Sequence, residues 1–103
     1  MIRKAFLMKL KPGMQAEYKK RHSPIWSSIE QVLKDHGVSN YSIFLHGEDA
    51  LFAYVEMDSE ELWGRIANTA ECKEWWLYMK DLMLTNDDNS PVVTEMTEVF
   101  HLD

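Results

Sequence analysis

Apolar stretches alternate with helical patterns along the chain. Residues 2–10 predict a strand whose centre, Ala5 to Met8, is apolar throughout, so we expect both of its faces to be covered. Residues 38–45 and 50–57 predict two more strands, and the polar turn between them indicates a hairpin. Residues 92–102 predict a last strand with mixed alternation.

Apolar residues at helical spacing predict two helical regions. The first covers residues 14–34 and stops at Gly37, but Pro24 must interrupt it because proline donates no hydrogen bond and clashes with the preceding turn. We expect Ser23 to cap a second helix whose first residue is Pro24. The other region is capped by Asp58 or Ser59, loosens at residues 68–69 and continues over 70–83. A polar loop follows over residues 85–91.

The order strand, helix, strand, strand, helix, strand is that of the ferredoxin-like α+β fold, βαββαβ, with an antiparallel sheet. The chain of 103 residues predicts a single domain over residues 1–103. Both helical regions then cover one face of the sheet, and no further element is available for the other face. We therefore expect a homodimer in which the two sheets pack against each other.

The charge balance narrows the function classes. With 11 Lys and Arg against 17 Asp and Glu, the net charge is −6, which argues against nucleic acid as a partner. We interpret the basic run at residues 19–21 as a solvated helix face. The single cysteine, Cys72, fits a reducing compartment, and no apolar run is long enough for a membrane span or a signal peptide. These features predict a cytoplasmic protein without a membrane partner.

His22 is the first candidate for chemistry, because imidazole exchanges protons near neutral pH and this one lies beside the helix break. Tyr18 precedes it by one helical turn and shares its face. The alternative for both residues is ordinary packing in the helix stripe, and position alone favours that alternative for His22 by about two to one.

Trp75, Trp76 and Tyr41 are the aromatic candidates for a binding site. Neighbouring residues on a helix diverge by about 100°, so we expect one tryptophan to face inward and the other a rim or interface. Tryptophan and tyrosine line many sugar pockets, but core packing is an equally good explanation for the tryptophans and the ordinary one for Tyr41. The four histidines and Cys72 have no metal-ligand spacing. The residues alone therefore predict an aromatic, His-containing pocket and do not name a reaction.

Several sequence blocks together resemble the L-rhamnose mutarotase family over essentially the whole chain. The blocks are Met1-Ile2-Arg3-Lys4-Ala5-Phe6, Glu17-Tyr18, Arg21-His22-x-Pro24-Ile25-Trp26, His36-Gly37-x-x-Asn40-Tyr41, Trp75-Trp76-x-Tyr78-Met79 and Asp88-Asn89-Ser90-Pro91-Val92. The chain departs from the family pattern at residues 85–87, where a proline is usual, and at a shorter hairpin turn over 47–49.

This resemblance implies an isomerase that interconverts the α and β anomers of L-rhamnose. It implies a cytoplasmic dimeric α/β-barrel that uses no metal or other cofactor. It further implies His22 as the proton donor and Tyr18, Tyr41, Trp75 and Trp76 as the residues that contact the sugar. Our hypothesis is that protonated His22 is the acid, while the base is open between a carboxylate, a water and His22 itself.

Two other functions are compatible with this fold. One is a cofactor-free monooxygenase of the dimeric α/β-barrel type, and the other is a sugar-binding module without catalytic activity. Oxygen consumption would indicate the first, and ligand binding without anomer exchange would indicate the second.

Overall fold

The computed structural model describes residues 1–103 as one four-stranded sheet with helices on one side. The elements are β1 (Ile2–Lys9), α1 (Gln15–Arg21), α2 (Ser27–Asp35), β2 (Val38–His46), β3 (Ala50–Met57), α3 (Glu60–Ile66), α4 (Ala70–Met79), a 3₁₀ turn (Lys80–Leu82) and β4 (Thr94–Met96). The strands are antiparallel in the order β2-β3-β1-β4. This is the predicted ferredoxin-like arrangement, which is therefore confirmed.

The core lies between the sheet and the helices. Alternate residues of β3 point into it, namely Leu51, Ala53, Val55 and Met57, and all four are almost completely buried. Phe6 of β1 lies opposite Ala53, so the inward face continues across the sheet. Each large apolar side chain buried in this way contributes about 1.5–3 kcal/mol, so the core strongly favours this strand register.

The opposite face of the sheet is open. Leu7 of β1 is paired with Phe52 of β3 and with Thr94 of β4, and Phe52 is paired with Phe44 of β2. This row is largely apolar, yet Leu7 is 38% exposed and Phe44 is 61% exposed. The chain itself supplies no second layer here, as the element order predicted.

The start of α2 differs from the prediction. Ser23 does not cap it, and Pro24 is not its first residue; Trp26 is the N-cap and the helix begins at Ser27. The chain first makes a turn at residues 22–24 and then extends, because Ile25 and Trp26 place their side chains against the core. The predicted interruption of the helix is confirmed, but it is longer than the pattern indicated.

Two other boundaries are shorter than predicted. The helix expected over residues 70–83 ends at Met79, where the 3₁₀ turn begins. The strand expected over 92–102 is limited to Thr94–Met96, which pairs only with residues 5–7 of β1. Beyond it, Arg3 donates two side-chain hydrogen bonds to Glu98, and Phe100 is 78% exposed.

Gly37 joins α2 to β2 as predicted. Its φ of +76° is a conformation that glycine adopts without strain, and a Cβ added there would lie 2.7 Å from Oδ2 of Asp58. The next helix, α3, is capped by Ser59, whose Oγ accepts a hydrogen bond from the backbone N–H of Leu62 at 3.0 Å. None of the helices combines the length and hydrophobicity that a bilayer span requires.

Candidate active site

The end of α1 fixes the position and orientation of His22. Its backbone N–H donates to the carbonyl of Lys19, and its Nδ1–H donates to the carbonyl oxygen of Tyr18 at 2.9 Å. A carbonyl only accepts hydrogen bonds, so Nδ1 carries the proton. In the neutral ring, Nε2 is therefore the unprotonated nitrogen, and it makes no hydrogen bond within the chain.

Two aromatic rings pack against this imidazole. Tyr18 stacks on it with ring centroids 4.4 Å apart and an angle of 30° between the planes. Trp75 of α4 meets it edge to face at 5.3 Å. Burial among these rings lowers the pKa of His22, and the hydrogen bond to Tyr18 opposes this effect only in part. The imidazole is therefore mostly neutral at pH 7, which does not favour the hypothesis of a resting protonated acid.

A β-bulge in β2 directs Tyr41 to the helical side of the sheet. Ser39 pairs with Glu56 and Ser42 with Tyr54, so one extra residue is inserted between the two pairs. Asn40 takes up the irregularity with a φ of +47°, and its Nδ2 donates to Glu56 at 2.7 Å. As a result Tyr41 packs near Phe6 and Trp63, with ring centroids 6.4 and 6.0 Å away.

The hydroxyl groups of Tyr18 and Tyr41 make no hydrogen bond with the rest of the chain, and neither oxygen is fully enclosed. Both side chains line the same cavity. Burial raises the pKa of each phenol, and each therefore stays protonated across the neutral range. Two phenol groups are thus available to hydrogen-bond a ligand.

Trp75 and Trp76 both line the cavity. The expected division between one inward and one peripheral tryptophan stays a prediction. Both side chains are half-buried. Trp75 also contacts Trp26 edge to face at 5.2 Å, and Trp26 stacks on Tyr78 at 4.7 Å. This aromatic cluster joins the helix break to α4.

Arg21 reinforces the same junction. Its guanidinium lies over the ring of Tyr78, 4.4 Å from the centroid, and donates to the carbonyl of Tyr78. It also pairs with Glu17 at 2.9 Å and with Asp81 at 3.1 Å. The interpretation of residues 19–21 as a solvated face therefore applies to Lys19 and Lys20, which are exposed, and is wrong for Arg21.

The cavity has a volume of about 1120 Å³, and 22 of the 30 residues that line it are hydrophobic. Apolar walls with a few polar groups are typical of small-molecule sites. The titratable side chains in the lining are His22, Tyr18, Tyr41, Cys72 and Lys19. Burial raises the pKa of Cys72 to about 11. His22 is thus the lining group whose protonation changes near neutral pH.

All five residues singled out from the sequence, His22, Tyr18, Tyr41, Trp75 and Trp76, line this one cavity. The structure adds residues that the pattern did not indicate as site residues: Trp63 of α3, Cys72 of α4, and Thr85, Asn89, Ser90 and Pro91 of the loop. The loop is held by its own hydrogen bonds, including Asn86 Nδ2 to Ser90 Oγ at 3.0 Å. No three His, Cys, Asp or Glu side chains come together as a set of metal ligands.

Comparisons with known proteins agree on one family. A family model described as L-rhamnose mutarotase matches residues 3–102. The L-rhamnose mutarotase of Tolumonas auensis is 59% identical over 103 residues, which cover 99% of each chain. The crystal structure of an L-rhamnose mutarotase from Formosa agariphila superposes with a TM-score of 0.91 at 41% identity, and the whole of both chains is covered.

A more distant match shows the fold alone. The crystal structure of a candidate antibiotic biosynthesis monooxygenase from Bacillus cereus superposes with a TM-score of 0.50. It is 15% identical and covers 97% of this chain and 96% of that one. At this identity the likeness carries no information about the reaction.

Proposed function

The chain belongs to the L-rhamnose mutarotase family, and from this membership we propose that it interconverts the α and β anomers of L-rhamnose. The activity is that of an isomerase. The observation that supports it best in the molecule itself is the imidazole of His22 in an aromatic cavity, with Nδ1 bound and Nε2 free. The alternative of a monooxygenase has only the distant fold likeness in its favour.

The reaction needs few groups. Mutarotation opens the pyranose to an aldehyde, allows C1 to rotate and closes the ring on the other carbonyl face. One proton leaves the anomeric hydroxyl and another reaches the ring oxygen. The reaction also proceeds slowly without a catalyst, so general acid–base catalysis of about 10²–10⁴-fold by one positioned group is a useful acceleration.

We assign His22 as the group that exchanges protons with the sugar. The hydroxyls of Tyr18 and Tyr41 are unpartnered within the chain and supply hydrogen bonds to sugar oxygens. The indoles of Trp75 and Trp76 form an apolar wall of the cavity. Such a wall suits the methyl group that a 6-deoxysugar carries in place of a hydroxymethyl group.

The assignment is tested with His22→Asn, which keeps a polar side chain and removes the titrating ring. We expect its rate of anomer exchange, measured by saturation-transfer NMR, to fall at least about 100-fold below that of the unsubstituted protein. The far-UV circular dichroism spectrum checks that the variant is folded. A folded variant with the original rate would contradict the role of His22, and an unsubstituted protein that accelerates no exchange would contradict the function.

The proposal includes a homodimer formed through the open face of the sheet. Leu7, Phe44 and Met96 are exposed apolar residues on this face, and their area is what a second sheet would cover. Sheet-to-sheet packing through the same face of two copies satisfies two-fold symmetry. A location in the cytoplasm belongs to the same proposal and is supported by the buried free thiol of Cys72.

A further inference from the structure

Asn89 lies in the loop over residues 85–91 and lines the cavity. Its φ of +70° places its backbone in the left-handed region, which asparagine adopts more readily than most residues. The side chain is half-buried, and its amide makes no hydrogen bond within the chain. The amide therefore has a free donor and a free acceptor beside the cavity.

The hydrogen bonds of the loop engage its other polar side chains and leave this amide free. Asn86 donates from Nδ2 to Oγ of Ser90 at 3.0 Å and to the carbonyl of Pro91 at 3.3 Å. The carboxylate of Asp88 accepts hydrogen bonds from the backbone N–H and the hydroxyl of Ser90. The backbone N–H of Asn89 donates to the carbonyl of Asn86 at 3.0 Å. These contacts fix the backbone from which the Asn89 side chain extends.

Asn89 differs from the other polar lining residues that have no role so far. They are Gln15, Lys19, Ser23, Thr85 and Ser90. Lys19 and Ser23 are exposed, and the hydroxyl of Ser90 is bound within the loop. Gln15 has a longer side chain, which loses more conformational entropy when it binds a ligand. Thr85 offers one hydroxyl group, whereas an amide supplies separate donor and acceptor atoms.

The proposed substrate has more hydroxyl groups than the residues assigned above engage. His22 exchanges protons with the sugar at O1 and O5, and Tyr18 and Tyr41 supply one hydroxyl group each. The hydroxyl groups at C2, C3 and C4 enter a cavity in which 22 of the 30 lining residues are hydrophobic. A polar group is costly to bury without a hydrogen bond, so we expect at least one of them to bind another polar side chain.

We propose that Asn89 is a specificity-determining residue, whose side-chain amide binds one of the hydroxyl groups at C2, C3 and C4 of the sugar. The inference rests on the proposed mutarotase function and extends it to a residue of the loop. The amide acts on binding and takes no part in proton transfer, because it contacts neither O1 nor O5. Since the loop fixes its position, the amide distinguishes sugars by the presence and configuration of that hydroxyl group.

The first experiment compares Asn89→Gly with Asp87→Gly in anomer exchange of L-rhamnose at several sugar concentrations. Glycine adopts a φ of +70° without strain, so Asn89→Gly removes the amide and keeps the backbone. Asp87 is an exposed residue of the same loop that does not line the cavity, so its replacement controls for the added flexibility. We expect Asn89→Gly to raise KM about 5-fold or more with little change in kcat, and Asp87→Gly to change neither.

Sugars that lack one hydroxyl group identify the contact. The exchange is repeated with the 2-deoxy, 3-deoxy and 4-deoxy analogues of L-rhamnose. We expect the effect of Asn89→Gly on KM to disappear for one analogue, because the hydroxyl group that the amide binds is then absent. An effect that persists with every analogue would show that the amide binds none of these groups, and the inference would be wrong. A larger rise of KM in Gln15→Ala or Thr85→Val than in Asn89→Gly would also overturn it.

Binding measurements separate this inference from the proposed function. Tryptophan fluorescence reports the binding of L-rhamnose because Trp75 and Trp76 line the cavity, and circular dichroism melting checks the fold of each variant. We expect Asn89→Gly to raise Kd as it raises KM. If the unsubstituted protein binds the sugar without accelerating exchange, the proposed function is wrong and Kd alone tests Asn89. If Asn89→Gly binds the sugar as tightly as the unsubstituted protein, the inference is wrong and the function stands.

Discussion

His22 is held at one ring nitrogen and free at the other. The hydrogen bond from Nδ1 to the carbonyl of Tyr18 fixes the tautomer, and the stacking of Tyr18 fixes the ring plane. Both contacts come from the preceding turn of α1, because residues four apart on a helix lie on one face. Within five residues of sequence, Tyr18 therefore supplies two contacts that orient the imidazole.

The lowered pKa of His22 gives a pH dependence with a definite sign. Below 6.5 the unfolded chain binds a proton that the folded chain resists, so this residue's contribution to stability is complete above pH 6.5 and is lost as the pH falls. If the neutral ring opens the sugar, kcat/KM rises with pH through a midpoint below 6.5. NMR titration of the His22 ring measures its pKa, and anomer exchange rates between pH 5 and 8 measure the pH dependence of kcat/KM.

The spontaneous exchange rate, measured at each pH without protein, is the control for this profile. Activity that falls as His22 loses its proton would show that the protonated ring is the resting catalyst. A titration midpoint above 6.5 would contradict the effect of burial.

The pattern of the sequence named the site residues as candidates, but only the family blocks favoured a functional role for them over packing in the core. Spacing put Tyr18 and His22 on one face, but it did not distinguish a catalytic pair from core packing. Trp63 was missed because its nearness to Tyr41 arises from the packing of α3 on the sheet, which the local sequence does not specify. The sequence also did not predict that the hydroxyl of Tyr18 has no hydrogen-bond partner in the chain, because this depends on which groups surround it in three dimensions.

At the scale of the elements, order and type could be predicted from the sequence, and several boundaries could not. The periodicity of apolar residues identified the strands and helices because one face of each is buried. The bulge at Asn40 went unpredicted, although it is what allows both Val38 and Tyr41 to face the helices. Its signal is an asparagine, a residue type that tolerates positive φ, inside the strand.

Gly37 provides a test of the junction between α2 and β2. We expect Gly37→Ala to destabilise the fold by about 1–2 kcal/mol through the positive φ, and by about 1–3 kcal/mol more through the clash with Asp58. The matched control is Gly13→Ala, because Gly13 has a similar φ of +79° and open space around its Cβ position. Urea unfolding measures the free energy of unfolding of both variants. Equal losses of stability in the two would show that Asp58 moves away from the added methyl group without cost.

At the scale of the whole molecule, the main feature is the open face of the sheet, which no other element of the chain covers. Leu7 lies in β1, one of the two central strands, and points away from the helices. We expect size-exclusion chromatography with light scattering to give twice the chain mass. In Leu7→Glu, an unpaired charge buried in the interface should weaken the dimer by about 10²–10³-fold.

Leu77→Glu is the matched control for the dimer. Leu77 is also an exposed leucine, but it lies on α4 rather than on the sheet. We expect this variant to keep the mass of the unsubstituted protein. A monomeric unsubstituted protein, or a Leu7→Glu variant that dimerises as strongly as before, would contradict the proposed interface.

The loop over residues 85–91 has a consequence for turnover. Its hydrogen bonds, among them Asn86 N–H to the carbonyl of Ser90 at 2.8 Å, keep it in shape before any sugar arrives. Because the loop is already ordered, it loses little conformational entropy when either anomer enters the cavity. It also has no disordered state to return to when the other anomer leaves. An entrance of this kind serves both directions of a nearly thermoneutral exchange equally, and we expect sugar release to need no loop opening.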